Sequence, residues 1–201
     1  MLEYGRRAFA RRGHAATNLK EDILLPAGVS VGSFYHQFRD KTGLFLAILE
    51  EHGATFRQMI HDANRPREGM NEEQIARHSF ETVFVIAEEN ADLFLIMLRE
   101  RESEDERVRK FLREGRRGWT LGLMADYRAM LGDHAVADED LEMAAELVQS
   151  MTFGIIVHFL GLTSEEQRRE RARLIDGLVR FTLGGLSALF GTAATDRGGG
   201  V

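Results

Sequence analysis

The sequence predicts an all-α chain, with a small N-terminal helix-turn-helix head and a larger helical body. Three observations predict it. Only two prolines stand in 201 residues. Apolar residues recur at three- and four-residue spacing along most of the chain, and no alternating β-branched runs bounded by turn signals occur. A hydrophobic content of 44% is ample for a packed core, at a length that allows one large domain or a small one plus a larger one. Cysteine is absent, which excludes disulfides and thiolate chemistry and fits a reducing cytoplasm.

Met1 to Arg12 reads as a helix, with Leu2, Ala8 and Phe9 inward, four arginines outward and Gly13 ending it. Thr17 can cap a second, short helix whose apolar side is Leu19 and Ile23; Asp22 stands too far along to close a capping box with Thr17. In Ala27-Gly28-Val29-Ser30, Gly28 tolerates the positive φ of a sharp turn and Ser30 can cap a new helix. This is a helix-turn-helix arrangement, whose second helix enters the DNA major groove. Val31, Gly32 and Ser33 are small enough for close backbone approach. Phe34 and Phe38 are placed to anchor the inner face. Tyr35 and His36 offer donors to phosphate, and Lys41 a point charge just beyond.

From about Ala8 to Phe45 these residues resemble the N-terminal DNA-binding domain of the TetR/AcrR family of transcriptional regulators. The string GH-AAT---DI--PAGVSVGSFYHQFRDKTGLF carries the resemblance, with the glycine turn, the Tyr-x-x-Phe and the following lysine at the family's spacing. The resemblance implies phosphate contacts at Thr17, Tyr35, His36 and Lys41. It places Ser30, Val31, Gly32, Ser33 and Phe34 on the surface of the recognition helix that faces bases or backbone. Two positions depart from the pattern: Leu24 stands where the family usually has alanine, and Pro26 where it has an ordinary helix former. A proline in a helix interior costs about 3 kcal/mol, so the first helix of the motif is expected to kink or stop near Leu25, tilting the recognition helix. The first helix also begins later than is usual in the family, which leaves two readings: a missing basic arm or an upstream start.

In the body, Asp40 caps a long helix from about Lys41 with Leu44, Phe45, Ile48, Leu49, Phe56 and Ile60 at helical spacing. Pro66 to Gly69 is a break. A helix from about Asn71 is apolar nearly all round towards its end, as a buried central helix would be. Asn90 to Asp92 reads as a turn before LFLIML. The dense mixed-charge run RERESEDERVRK, 99 to 110, reads as a solvated turn and helix start. An amphipathic helix runs from Val108 to Leu131, and GDHAVADED is a loop with Asp138 as the next cap. Two last helices follow, at 139–161 and from a capping box at Ser164–Gln167 towards Phe190. The expected division is a head at 1–45, an effector-binding and dimerisation body at 46–190, and a disordered tail at 191–201.

Glycines in the last two helices cost stability unless a second helix backbone comes close. The pair therefore reads as a dimerisation surface, through Val148, Thr152, Ile155, Phe159, Leu174, Gly177, Leu178, Phe181, Gly184, Gly185 and Ala188, forming a four-helix bundle between subunits; the resemblance implies the same. An intramolecular packing role is the alternative. The body is richer in aromatic residues and methionine than a plain bundle needs. A cavity lined by Met59, Phe80, Phe84, Met97, Trp119, Leu123, Tyr127, Met151 and His158 would take the largely apolar small-molecule effector that the resemblance implies.

Enzyme motifs are missing. The chain has no Gly-rich phosphate loop, GxSxG or HExxH, and His52, His61 and His78 are not spaced as metal ligands, so neither catalysis nor a metal or other cofactor is expected. The net charge is −6, but residues 1–49 carry +3 and the remainder −9, a basic head on an acidic body. No apolar run reaches the roughly 18 to 20 residues of a membrane span, and the N-terminus lacks the apolar block of a signal peptide, so no membrane partner is expected. The expectation is a cytoplasmic homodimeric regulator, a repressor released from a near-palindromic operator by its effector. The alternative is a helical ligand-binding dimer with impaired or lost DNA binding.

Overall fold

The computed structural model describes residues 1–65, 69–131 and 136–190. The expected break at 66–69 and the GDHAVADED loop fall partly outside these residues, and the tail at 191–201 wholly so. Among the described residues every regular element is helical: α1 (Leu2–Ala16), α2 (a π turn, Leu19–Leu24, running into an α turn, Leu25–Ala27), α3 (Val31–Gln37), α4 (Lys41–Asn64), α5 (Glu72–Glu89), α6 (Ala91–Arg99) with a 3-10 turn after it (Glu100–Glu102), α7 (Glu106–Leu131), α8 (Asp138–Leu160) and α9 (Ser164–Phe190). The all-α expectation holds.

The chain forms two compact units. The first takes Met1–Phe56 and Asn90–Arg116, so the head is packed with α6 and the start of α7 as well as with α4. Its core is Phe9, Ile23, Phe34, Leu44, Phe45, Ile48, Leu93 and Ile96 with their neighbours, all buried. Phe9 meets Phe45 edge to face at 4.9 Å between ring centroids, a favourable aromatic geometry. The second unit takes Arg57–Glu89 and the chain from Arg117. There α5 packs against α8 and α9, and α8 against α9.

Local chemistry explains most helix starts. Asp40 Oδ1 accepts from the Gly43 amide at 2.7 Å, as expected of a cap. Asn71 and Gln74 cap α5 reciprocally, each side-chain oxygen accepting the other's amide at 2.9 Å. The capping box of α9 lies one residue earlier than expected: Thr163, not Ser164, pairs with Glu166, whose carboxylate accepts both the amide and the hydroxyl of Thr163 at 2.8 Å. The α8 helix begins after Ala137, and Asp138 is its first residue rather than its cap.

By length and composition α8 could cross a membrane, contrary to the sequence expectation: an 18-residue window has a mean hydropathy of 1.4. Only 33% of that window is buried within the chain, so much of its apolar surface is still uncovered by α5 and α9.

Gly13 interrupts α1 with φ 79° and ψ 166°, a conformation nearly restricted to glycine. A Cβ there would stand 2.9 Å from Arg99 Cδ and 3.0 Å from Glu100 Oε1. Gly13→Ala is therefore expected to lower stability by about 1–3 kcal/mol, read as a lower denaturant midpoint at unchanged slope.

Candidate nucleic-acid interface and effector cavity

The corner that presents α3 is built differently from the sequence expectation. Asn18, not Thr17, caps α2, its Oδ1 accepting from the amides of Lys20 and Glu21 at 3.0 and 3.1 Å. Asp22 closes the box with Asn18, accepting the Asn18 amide at 2.8 Å. Thr17 is buried, and its hydroxyl donates to Gly13 O at 2.6 Å, so it faces the end of α1 rather than a phosphate.

Pro26 does not stop the helix. Residues Leu19–Leu24 take the wider π register, and the Leu25 amide reaches back five residues to Lys20 O. An α-helical turn, Leu25–Ala27, then restarts with Pro26 at its N-terminal end, where a missing N–H and a fixed φ do no harm. Gly28 follows with φ 65°. Its amide bonds Leu25 O at 3.1 Å and the Val29 amide bonds Leu24 O at 3.0 Å, a Schellman ending that needs glycine at this position. Leu24, the other departure from the family pattern, is simply core, 2% exposed.

On α3, Ser30 Oγ accepts from the Ser33 amide at 3.0 Å. Ser30, Val31, Gly32, Ser33, Tyr35 and His36 are all exposed. Phe34 is wholly buried, so it anchors the helix and cannot also face DNA; aromatic bulk decided that placement. Lys41 is tied down as well. Its Nζ donates to Ala15 O and Thr17 O at 3.1 and 2.8 Å, closing the end of α1, and burial lowers its pKa.

The mixed-charge run is not merely solvated. Glu106 does pair with Arg113 at 2.7 Å on the surface. But Glu100, 5% exposed, accepts the His14 amide at 2.6 Å, and Arg99 donates to Ala10 O at 2.9 Å. Asp105 accepts from the Thr42 hydroxyl at 2.7 Å, and Arg107 bridges Asp105 and Asp40 at 3.1 and 2.9 Å. Thr42 spends its proton on Asp105, so the 3.0 Å contact with His14 Nε2 requires the imidazole to donate. Burial, helped by the charge of Lys41, lowers the His14 pKa and so favours the neutral ring. Nothing local in the sequence marks Glu100, because its partner lies 86 residues away.

In the second unit a cavity of about 110 Å³ lies among α5, α7, α8 and α9, with Ile60 of α4. Phe80, Trp119, Leu123 and Tyr127 line it, and Val148 and Thr152, expected at the dimer surface, line it too. The other expected pocket residues do not gather there. Phe84 is buried edge-on against Phe159 at 4.8 Å, Met59 and His158 are exposed, Met151 is half-buried, and Met97 belongs to the first unit. Sequence periodicity missed Ile75, Ser79, Gln149 and Thr182, which also line the cavity.

Of the expected dimer residues, Phe181 is 70% exposed, and Gly177, Gly184 and Ala188 are exposed beside it. Val148, Ile155, Leu174 and Gly185 are half-buried. Thr152, Phe159 and Leu178 are buried within the chain, on the inner faces of their helices. Met143 and Leu147, exposed on α8, were not anticipated. A Cβ at Gly154, Gly177, Gly184 or Gly185 would meet nothing within 4 Å, so packing inside the chain does not require these glycines.

Residues 1–48 match the family model for bacterial regulatory proteins of the tetR family. The whole chain is similar in fold to solved regulators. It aligns with GusR of Salmonella enterica at 22% identity and TM-score 0.70, over 94% of this chain and 92% of that one. The TetR family transcriptional regulator PfmR of Thermus thermophilus gives 23% and 0.67, over 89% and 96%. FadR of Bacillus subtilis, solved in complex with stearoyl-CoA, gives 14% and 0.71, over 92% and 96%. The resemblance to TetR/AcrR regulators read from the sequence is upheld.

Burial would raise the Asp105 carboxyl, but hydrogen bonds from Arg107 and Thr42, with the charge of Arg107, hold it at about 2 against the usual 3.8. A depressed carboxyl stabilises the fold above its unfolded value, and that contribution is lost as pH falls towards 2. Asp105→Asn is therefore expected to lower the urea midpoint at pH 7, with the gap to the parent closing between about pH 4 and pH 2 in unfolding curves across pH.

Proposed function

We propose that this TetR-type chain is a homodimeric, cytoplasmic DNA-binding transcriptional regulator, a repressor released from a near-palindromic operator by a small molecule held in the second unit. The observation that carries the reading is the outward face of α3. Six consecutive or near-consecutive small and polar positions from Ser30 to His36 stand exposed around one buried anchor, Phe34. A solvated helix would not need that run of small residues at its start, whereas close backbone approach to base edges would. Tyr35 and His36 supply donors to phosphate, and Arg39 and Lys20 exposed charge nearby. The rival, a ligand-binding dimer that no longer reads DNA, rests on Pro26 and on the late start of the first helix, and the structure bears on the first of these. The π register of α2 accommodates that proline and leaves the glycine turn and the Ser30 cap in place, which favours a working head.

Dimerisation through α8 and α9 draws support from the exposed Met143, Leu147, Phe181 and Leu189 and from glycines that open onto empty space. A second copy would cover this surface and let helix backbones approach, offsetting roughly 1 kcal/mol per exposed glycine. Phe181→Arg is expected to convert the dimer to a monomer in sedimentation equilibrium without unfolding it. An unchanged dimer would place the interface elsewhere.

The function is tested by fluorescence anisotropy with DNA from upstream of the protein's own gene and with scrambled DNA, at two salt concentrations. Preferred binding of the upstream DNA that weakens with salt is expected. Tyr35→Ala should weaken it by about 1.5 kcal/mol, roughly tenfold, with the thermal midpoint unchanged. Lys41→Ala should lower both affinity and thermal midpoint, because its ammonium also closes the end of α1. The effector role is tested by screening metabolites for release of the bound DNA together with a shift in Trp119 emission. Trp119 is the sole tryptophan and lines the cavity.

A further inference from the structure

The cavity's lining specifies a chemistry that its shape alone does not. Its walls are mostly apolar, and its ionisable members are Glu72, Asp126 and the Tyr127 phenol, with no lysine, arginine or histidine among the lining residues. A carboxylate or phosphate entering it would be desolvated, would meet no cation, and would approach two carboxylates. A cation would also lose its water, and would have to compete with contacts that the two carboxylates already make. Asp126 already has His61 Nδ1 at 3.4 Å, and Glu72 sits in the first turn of α5, where the helix dipole compensates its charge.

Besides the Tyr127 phenol, three aliphatic hydroxyls line the space. Ser79 donates to Ile75 O at 2.9 Å and Thr152 to Val148 O at 2.7 Å, each satisfied by its own helix one turn back. Thr182 does not do this. It is 7% exposed, and its Oγ1 has no hydrogen-bond partner. A buried hydroxyl without a partner is destabilising, and a bound polar group would relieve it. About 110 Å³ is somewhat less than the roughly 150 Å³ of an engineered apolar cavity that binds benzene, so a single ring is near the upper limit of what enters without side chains moving.

We propose that this cavity takes a compact, uncharged molecule of single-ring size, carrying one hydroxyl or carbonyl group that bonds Thr182 Oγ1. The proposal rests on the effector reading for its biological meaning but not for its chemistry. Phenol, benzene, benzoate and benzylamine probe ring size, hydrogen bonding and charge separately, with Trp119 emission as readout on the full chain. Phenol is expected to bind saturably and at least tenfold more tightly than benzene, while benzoate and benzylamine leave the emission unchanged. Thr182→Val keeps the shape and removes the hydroxyl. It is expected to abolish the preference for phenol over benzene and, by deleting an unsatisfied group, to raise the thermal midpoint of the unliganded protein.

Tighter binding of benzoate or benzylamine than of phenol would overturn the proposal. So would a phenol preference that survives Thr182→Val, or the failure of all four probes to shift Trp119. A charged metabolite that releases DNA and shifts Trp119 would overturn the assigned chemistry and leave the effector reading intact. Binding of phenol through Thr182, with no compound releasing DNA, would do the reverse.

Discussion

The head depends on one buried hydrogen bond, from the His14 amide to the Glu100 carboxylate. Gly13 makes it possible. Its positive φ breaks α1 so that the following amide turns out of the helix, and its missing side chain leaves room for Arg99 and Glu100 to come close. The bond is charge-assisted and sits where water is excluded, so its partner is costly to remove. Around it Arg99 closes the carbonyl of Ala10, Lys41 those of Ala15 and Thr17, and Thr17 that of Gly13. Apart from the local bond of Thr17, these ties come from residues 24 to 89 positions away in the chain. The position of α1 is set by tertiary contacts rather than by its own helix propensity.

A second layer connects those ties to the helix that faces outward. Thr42 at the start of α4 links His14 to Asp105, and Arg107 links Asp105 to the Asp40 cap just after α3. The neutral His14 ring is held by burial. A depressed imidazole favours the fold above its unfolded value and loses that contribution as the medium becomes more acid than 6.5, so mild acid loosens this layer well before Asp105 is reached. This polar layer runs beside the apolar core that Phe34 of α3 shares with Leu93 and Ile96 of α6 and Val108 of α7.

Much of this was legible in the sequence, for reasons that differ by residue. Helix existence, the Asp40 cap, the glycine turn at Gly28 and the α3 anchor at Phe34 follow from short-range spacing, which the chain carries openly. Misplacements by one residue, Thr17 for Asn18 and Ser164 for Thr163, arose because neighbouring residues could both cap and only geometry chooses. Pro26 reads locally as a breaker, since no local rule announces a π register. The charge run reads as solvated because the partners of Glu100 and Asp105 are 86 and 63 residues away. The cavity was half legible. Aromatic residues on α5 and α7 pointed to it, but Thr182 and Gln149 look like ordinary polar positions on helices whose apolar faces are broad.

The composition of α8 has a consequence for how the protein is made. Its 23 residues are complete before α9, which covers one of its faces, has been synthesised, and α9 ends 30 residues later. At ribosomal rates of about 5–20 residues per second, that interval lasts roughly 2 to 6 seconds. During it, the apolar face of α8 that α9 later covers is still open. The second unit therefore closes its apolar core only with the last described helix of the chain.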